Sequence, residues 1–370
     1  MVPQPKPPQR PSTPENKARY TLAIAIAVIA LLLLGGSAIW ATNLLRGQPG
    51  QGSAATSTPS TSHSAAATPN VNPTGPISPL IFGTNMGLFN DHDQVLQSDQ
   101  TRTLMQQLHI KIVRVPARNN ITSDVFIQAL QDIKQVGAVP LVVLNGVQSP
   151  DTMLSSDITT VKDVQSVFGD TTVYYEFGNE DDYHGVPVAQ YTAGWNTVIP
   201  QLKKLSPHAN FIGPVSWQYD EPYLISFLQN AKVQPDEISW HEYTCDLKWS
   251  NDTCLNNLDK WTTHISAARK AMATTIGKVL PIMITEWNYT ASQSTQSNGQ
   301  PIDDGKYNDE QFMTQWTTKA LQTLADNRVF ASMQYTVTDT ALPMITYNQD
   351  ITTQGTAFQT LYQKMFPSGS

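Results

Sequence analysis

The eight residues VYYEFGNE, Val173 to Glu180, read first as a strand and then as a site. Apolar and aromatic side chains dominate positions 173–177 and the run breaks at Gly178-Asn179-Glu180, so a buried strand delivers a carboxylate at its C-terminal tip. PIMITEWN, at 281–288, does the same with Glu286. Six further runs of this kind surround them: LIFGTNMG (80–87), IKIVRVPA (110–117), VPLVVLNG (139–146), FIGPVSW (211–217), EISWHEY (237–243) and ASMQYTVTD (331–339). Amphipathic stretches separate the runs. In ITSDVFIQALQDIKQVG, Val125, Phe126, Ala129, Leu130 and Ile133 share one helical face and Gly137 supplies the stop. Others cover 190–205, 223–230, 258–275, 310–326 and 355–365. Eight strand and helix units in about 290 residues predict an α/β fold, a (β/α)8 TIM barrel. A doubly wound open sheet would carry a glycine-rich phosphate loop after its first strand, and FGTNMG lacks the G-x-G-x-x-G spacing.

Such a barrel gathers reactive groups at the C-terminal ends of its strands. Asn179-Glu180 closes the fourth run, His241-Glu242-Tyr243 the sixth and Glu286-Trp287-Asn288 the seventh, while Arg114 lies on the second with Arg118 just beyond. Polar side chains inside apolar strands cost stability unless they are paired, so their clustering asks for a reason. Two carboxylates facing one cleft are what glycosidic bond cleavage needs: one protonates the leaving oxygen, the other stabilises or traps the oxocarbenium-like carbon. Glu180 and Glu286 are the pair best placed for it. Glu176, the rival acid, reads as a structural ion-pair partner for a barrel arginine, a role that Arg114 can fill. His241 reads equally as a satisfied core histidine or as a sugar contact. Trp217, Trp249 and Trp287 are candidate stacking faces for a pyranose, whereas Trp240 alternates out of phase with His241 and should pack behind the barrel wall.

These residues carry a resemblance. YYEFGNE is similar to the YFEVWNE-type string of the clan of retaining β-glycosidases, which includes β-xylosidase-like, cellulase-like and heparanase or β-glucuronidase-like families. ITEWN is similar to that clan's nucleophile strand, and the order Asn-Glu, His-x-Tyr, Glu on strands four, six and seven extends the likeness over residues 80 to about 365. The resemblance implies Glu180 as general acid and base and Glu286 as nucleophile. It implies Asn179 as donor to a sugar 2-hydroxyl, Tyr243 as orienter of Glu286, Arg114 as the charge that keeps it ionised, and His241, Trp287 and Tyr335 as sugar-site residues. No metal and no organic cofactor are called for. A retaining enzyme then holds its two carboxyls about 5–5.5 Å apart. This chain departs from the pattern with Gly178 where many relatives have Trp, Asp181-Asp182 where many have Pro, and Tyr335 in place of a Trp floor. The alternative is a catalytically silent glycan-binding surface protein on the same barrel.

Outside the barrel the chain reads as an anchor. LAIAIAVIALLLLGGSAIWA, residues 22–41, is twenty residues without a charge, long enough to cross a bilayer. Lys6, Arg10, Lys17 and Arg19 precede it and only Arg46 follows closely, which orients the N-terminus to the cytoplasm. A cleaved signal sequence is the competing reading, disfavoured by the length of the apolar run. The expected organisation is a disordered cytoplasmic arm (1–19), a transmembrane signal anchor (20–43), a Pro/Ser/Thr/Gly-rich linker (44–77) and an extracellular glycoside hydrolase domain (78–370) at the cell membrane. That domain holds 18 basic against 29 acidic residues, a net charge of −11, which repels phosphate backbones and excludes nucleic acid as partner. Its partners are an oligo- or polysaccharide and, through 22–41, the lipid bilayer. Cys245 and Cys254, nine positions apart outside the cell, predict a disulfide closing one loop. Thr290 to Asn308, rich in Ser, Thr, Gln and Gly, reads as a mobile lid or a disordered insertion.

Overall fold

The computed structural model describes residues 74–148, 153–291 and 305–367, all within one compact unit, Ala66–Ser370. The arm, the anchor with its span at 22–41, nearly all of the linker and most of the 290–308 loop lie outside the described residues. Among the described residues no helix is long and apolar enough to cross a membrane.

Among the described residues eight strands form: β1 (Gly83–Asn85), β2 (Ile112–Pro116), β3 (Val139–Leu144), β4 (Tyr174–Phe177), β5 (Asn210–Ile212), β6 (Ile238–Glu242), β7 (Ile282–Trp287) and β8 (Ala331–Gln334). Every pairing is parallel, in the order β5-β4-β3-β2-β1-β8-β7-β6. The two edge strands are joined by single parallel bridges, Ile212 to Glu237 and Ser216 to Trp240, so the sheet closes on itself as a (β/α)8 barrel requires. Ile112, Leu141, Val143, Tyr174, Ile212, Met283 and Met333 fill the lower barrel, and the larger apolar cluster lies between the strands and the surrounding helices.

The helices sit where capping and periodicity place them. Ser123–Val136 starts at Thr122, whose side chain accepts from the Val125 N–H, and stops at Gly137 in the left-handed conformation, φ 83°. Glu310–Asp326 has the predicted bounds, with Asp309 as N-cap. Val188–Leu205, Glu221–Asn230 and Thr353–Met365 each start two residues before the predicted stretch, and Asp259–Ile276 is the predicted 258–275 shifted by one. Asp99–Gln107 and Met153–Phe168 are further helices that the apolar pattern did not announce. The second of these is rich in Ser, Thr and Asp, and of its apolar residues only Met153, Val161 and Val164 are buried, with Leu154, Ile158, Val167 and Phe168 packed half-buried beside them. The stretch after β6, expected as a loop closed by a disulfide, carries the short helix Asn251–Asn257, and Cys254 within it pairs with Cys245 as the sequence predicts.

The strands are shorter than the apolar runs that contain them, and at the fourth this matters. β4 ends at Phe177, so Glu180 stands three residues past the strand, on a turn in which Gly178 has φ 84° and Glu180 itself φ 52°. A Cβ at Gly178 would collide with the Asp181 carboxylate, and one at Gly146 with the Cα of Gly178. There is no room for the Trp found here in the resembling clan. Gly178→Ala is expected to cost about 2 kcal/mol or more, through left-handed strain and displacement of Asp181, read as a lowered urea midpoint with an unchanged slope.

Candidate active site

Arg114, at the centre of β2, points into the barrel and organises everything above the apolar plug. Its Nε donates to Glu176 Oε2 at 2.5 Å, one terminal nitrogen to Glu286 Oε1 at 2.5 Å and Asn85 Oδ1 at 3.1 Å, the other to Asn179 Oδ1 at 2.6 Å. Glu176 is fully buried, and its other oxygen accepts from Ser239 Oγ at 2.7 Å. It is a structural counter-charge, as its inward place on β4 suggested.

Glu286 owes its direction to a bulge. Trp240 pairs with Ile284 but His241 with Glu286, so Thr285 is an extra residue on β7. Met283 faces the barrel interior and Ile284 the outer core; strict alternation would then turn Glu286 outward and Trp287 inward. The extra residue inverts this. Glu286 faces the cleft, where Oε2 accepts from the Tyr243 hydroxyl at 2.7 Å and lies 3.7 Å from His241 Nδ1. Trp287, expected at the sugar site, is instead fully buried, packed against Trp261 and Trp316 with its Nε1 donating to Ser332 at 3.2 Å.

His241 is wholly buried, and its Nδ1 lies 2.7 Å from Glu180 Oε1. With Glu180 ionised, Nδ1 carries the proton and donates it to that bond. His241 therefore touches both glutamates, and one carboxylate oxygen of Glu180 and one of Glu286 lie within 4.8 Å of each other.

The environment polarises these groups. Burial by itself would raise the Glu286 carboxyl, but the charges of His241 and Arg114, with the hydrogen bonds from Tyr243 and Arg114, outweigh it and hold Glu286 below the usual carboxylate range. Burial opposes charge on His241 too, yet Glu286 and the bond to Glu180 push it above the usual imidazole value. Burial, reinforced by Glu286, raises the Tyr243 phenol far up, which keeps it a donor. Arg114 is raised because Glu176 and Glu286 overcome its desolvation.

Arg114→Ala leaves Glu176 and Glu286 buried without their shared cation, and an expected loss of about 3–5 kcal/mol follows. The Glu286 pKa is depressed in the folded chain, so its share of the stability is present above the unfolded value and disappears as pH falls through the folded one. Urea midpoints of wild type and variant should differ most at neutral pH and approach each other below about pH 4.

The cleft has two unlike sides. Beside Glu286 is a cavity of about 480 Å³, bordered by Arg114, Arg118, Asn179, His184 and Tyr335. Beside Glu180 stands an aromatic wall. Trp217 stacks on Tyr243 with ring centres 5.4 Å apart, and Tyr183, 66% exposed, leans on Trp217 at 5.3 Å. Trp240 packs in the outer core and donates to Glu242, behind the wall as its phase predicted. Trp249, 43% exposed, lies in the disulfide-closed segment. Tyr183, His184 and Asn85 carried no signal in the sequence, since each lies in a loop or a three-residue strand whose direction only the fold sets.

Glu180, His241 and Glu286 each offer a ligating atom within 4.8 Å, a set that a cation could share. Both Glu286 oxygens are already engaged by Arg114 and Tyr243, and the guanidinium 2.5 Å away repels a second positive charge. The trio suits proton and carbon chemistry better than metal binding.

No protein-family model and no curated protein matches the chain. Solved structures do. A monomeric β-xylosidase from Caulobacter crescentus CB15 superposes with a TM-score of 0.59 at 13% identity, over 78% of this chain and 69% of its own. A family 51 α-L-arabinofuranosidase from Bifidobacterium longum gives 0.60 at 14% identity, over 78% and 74%. The GH51 arabinofuranosidase from Xanthomonas axonopodis pv. citri gives 0.58 at 12% identity, over the same shares. Likeness at so low an identity speaks for architecture alone: this chain shares the (β/α)8 barrel of these glycoside hydrolases.

Proposed function

We propose that the chain is a retaining glycoside hydrolase that cleaves a β-linked glycan by double displacement, with Glu286 as nucleophile and Glu180 as acid and base. The observation that carries the reading is the spacing of the two carboxylates, whose oxygens come within 4.8 Å. So close an approach of one oxygen pair supports the roughly 5–5.5 Å carboxyl spacing of retaining enzymes over the roughly 6.5–9.5 Å that leaves room for an attacking water.

The side chains divide the labour. Glu286, held ionised by Arg114, His241 and Tyr243, attacks the anomeric carbon from below while the glycosidic C–O bond breaks. Glu180 gives its proton to the departing oxygen, and its hydrogen bond to His241 holds the carboxyl in position for that step. Asn179, its amide oxygen fixed by Arg114, donates to the 2-hydroxyl. In the second half a water loses its proton to Glu180 and displaces Glu286, so the anomeric configuration is kept. Tyr335 borders the sugar of the glycosyl-enzyme, and Trp217 with Tyr183 offers an apolar face to the leaving group.

The span at 22–41 fastens the enzyme to the cell membrane, and the linker sets the barrel's reach into an extracellular oligo- or polysaccharide. Proton NMR of the first product, recorded before mutarotation, tests the reading: the β-anomer appears first. An α-anomer appearing first sinks the double displacement.

A further inference from the structure

The cavity beside Glu286 differs in charge from the domain that contains it. Residues 78–370 carry 29 acidic side chains against 18 Lys and Arg, yet among the described residues bordering this cavity there are two arginines, Arg114 and Arg118, and one acid, Glu286. Arg114 is fully committed to Glu176, Glu286 and Asn179. Arg118 is not.

Arg118 is half-buried and held in place twice. Its Nε donates to the Gly87 carbonyl at 3.0 Å, and its guanidinium lies 4.7 Å over the centre of the Phe89 ring. Those contacts use one nitrogen and one face. Among the described residues, no carboxylate is within ion-pair distance of Arg118, and its two terminal nitrogens donate to no described residue. Burial and the neighbouring Arg114 both work against its charge, with Tyr335 and Glu286 as the opposing influences. A half-buried guanidinium held by one carbonyl and one ring, with no carboxylate paired to it among the described residues, keeps its terminal nitrogens for a further partner. Glu286 borders the same cavity, so the sugar that occupies it is the one whose anomeric carbon Glu286 attacks, the glycone.

We propose that Arg118 is a specificity-determining residue that receives an anionic substituent of the glycone, the carboxylate of a uronic acid or a sulfate ester. The assignment rests on the glycosidase reading above and names the substrate class of that same site. The planar fork of a guanidinium matches either anion with two parallel N–H···O bonds, which a neutral hydroxymethyl group cannot return. His184, at the rim of the cavity, adds a second donor.

The test compares glycosides with one leaving group and three glycones: a hexuronate, its carboxyl-reduced hexose and the 6-sulfated hexose, in gluco and galacto configuration. An anionic glycone should be preferred at least about tenfold in kcat/KM, as a charge-assisted hydrogen bond warrants. In Arg118→Met that preference should fall to about one, and Arg118→Lys should restore part of it. The uronate and sulfate arms tell the two anions apart. Equal use of charged and neutral glycones by the wild type, or a preference that survives Arg118→Met, overturns the proposal. Cyclophellitol-type epoxides of neutral and uronate configuration separate this from failure of the enzyme reading. Covalent labelling of Glu286 by the neutral epoxide without any uronate preference removes the Arg118 assignment alone. With no labelling by any epoxide and no turnover of any glycoside, both fall together.

Discussion

Glu286→Ala is expected to lose hydrolysis by about 10⁴-fold or more and to stay folded. On the proposed mechanism the loss is that large because a nucleophile at Glu286 would have no substitute: the remaining carboxylate, Glu180, is hydrogen-bonded to His241 and is assigned to the other side of the scissile bond. The fold survives because Arg114 keeps its bonds to Glu176, Asn85 and Asn179 when Glu286 is gone. No buried charge is left bare, which distinguishes this variant from Arg114→Ala. Steady-state rates on an aryl glycoside, with circular dichroism and a urea midpoint as folding controls, check both halves. Turnover within tenfold of the wild type removes Glu286 from the mechanism.

Glu180→Ala is expected to lower kcat/KM by about 10²–10⁴-fold, with a size that depends on the leaving group. Alcohols that need a proton to depart suffer most. Activated phenols, which leave as anions, still form the glycosyl-enzyme and accumulate it, because the base for the attacking water is missing. Azide needs no base, so adding it should restore turnover and give a glycosyl azide of retained configuration. A rate loss that is the same for all leaving groups and is not rescued by azide would show that Glu180 has a structural role only. The 2.7 Å bond to His241 makes that alternative a real one, since a buried histidine could need Glu180 merely as its partner.

Much of this was legible in the chain itself. Helix Glu310–Asp326 was readable to the residue because its cap, Asp309, and its apolar positions, such as Phe312, Met313, Trp316, Ala320 and Leu324, fall at helical spacing. The disulfide followed from two cysteines nine positions apart and the expectation of an extracellular setting. Glu180 and Glu286 were visible as acids at the ends of apolar runs. Arg114 stood out because an arginine inside IKIVRVPA has to meet a buried carboxylate, and it meets two. The N-terminal anchor remains an expectation from residues 22–41, which lie outside the described residues. The helix Met153–Phe168 was hidden because polar residues cover most of it, and Tyr183 and His184 because loop residues have no period to read.

Local sequence determined which segments become strands and helices, since burial at period two or 3.6 is written residue by residue. It determined the barrel through the alternation of those segments, and it named the two acids. Which way the acids point was settled elsewhere. Alternation counted along β7 from the inward Met283 would put Trp287 in the cleft and Glu286 in the outer core. The extra residue at Thr285 reverses them, and it exists only because β7 must keep register with β6 while Trp287 joins Trp261 and Trp316. A bulge is a property of two strands and the core behind them, so no single stretch of sequence could announce it.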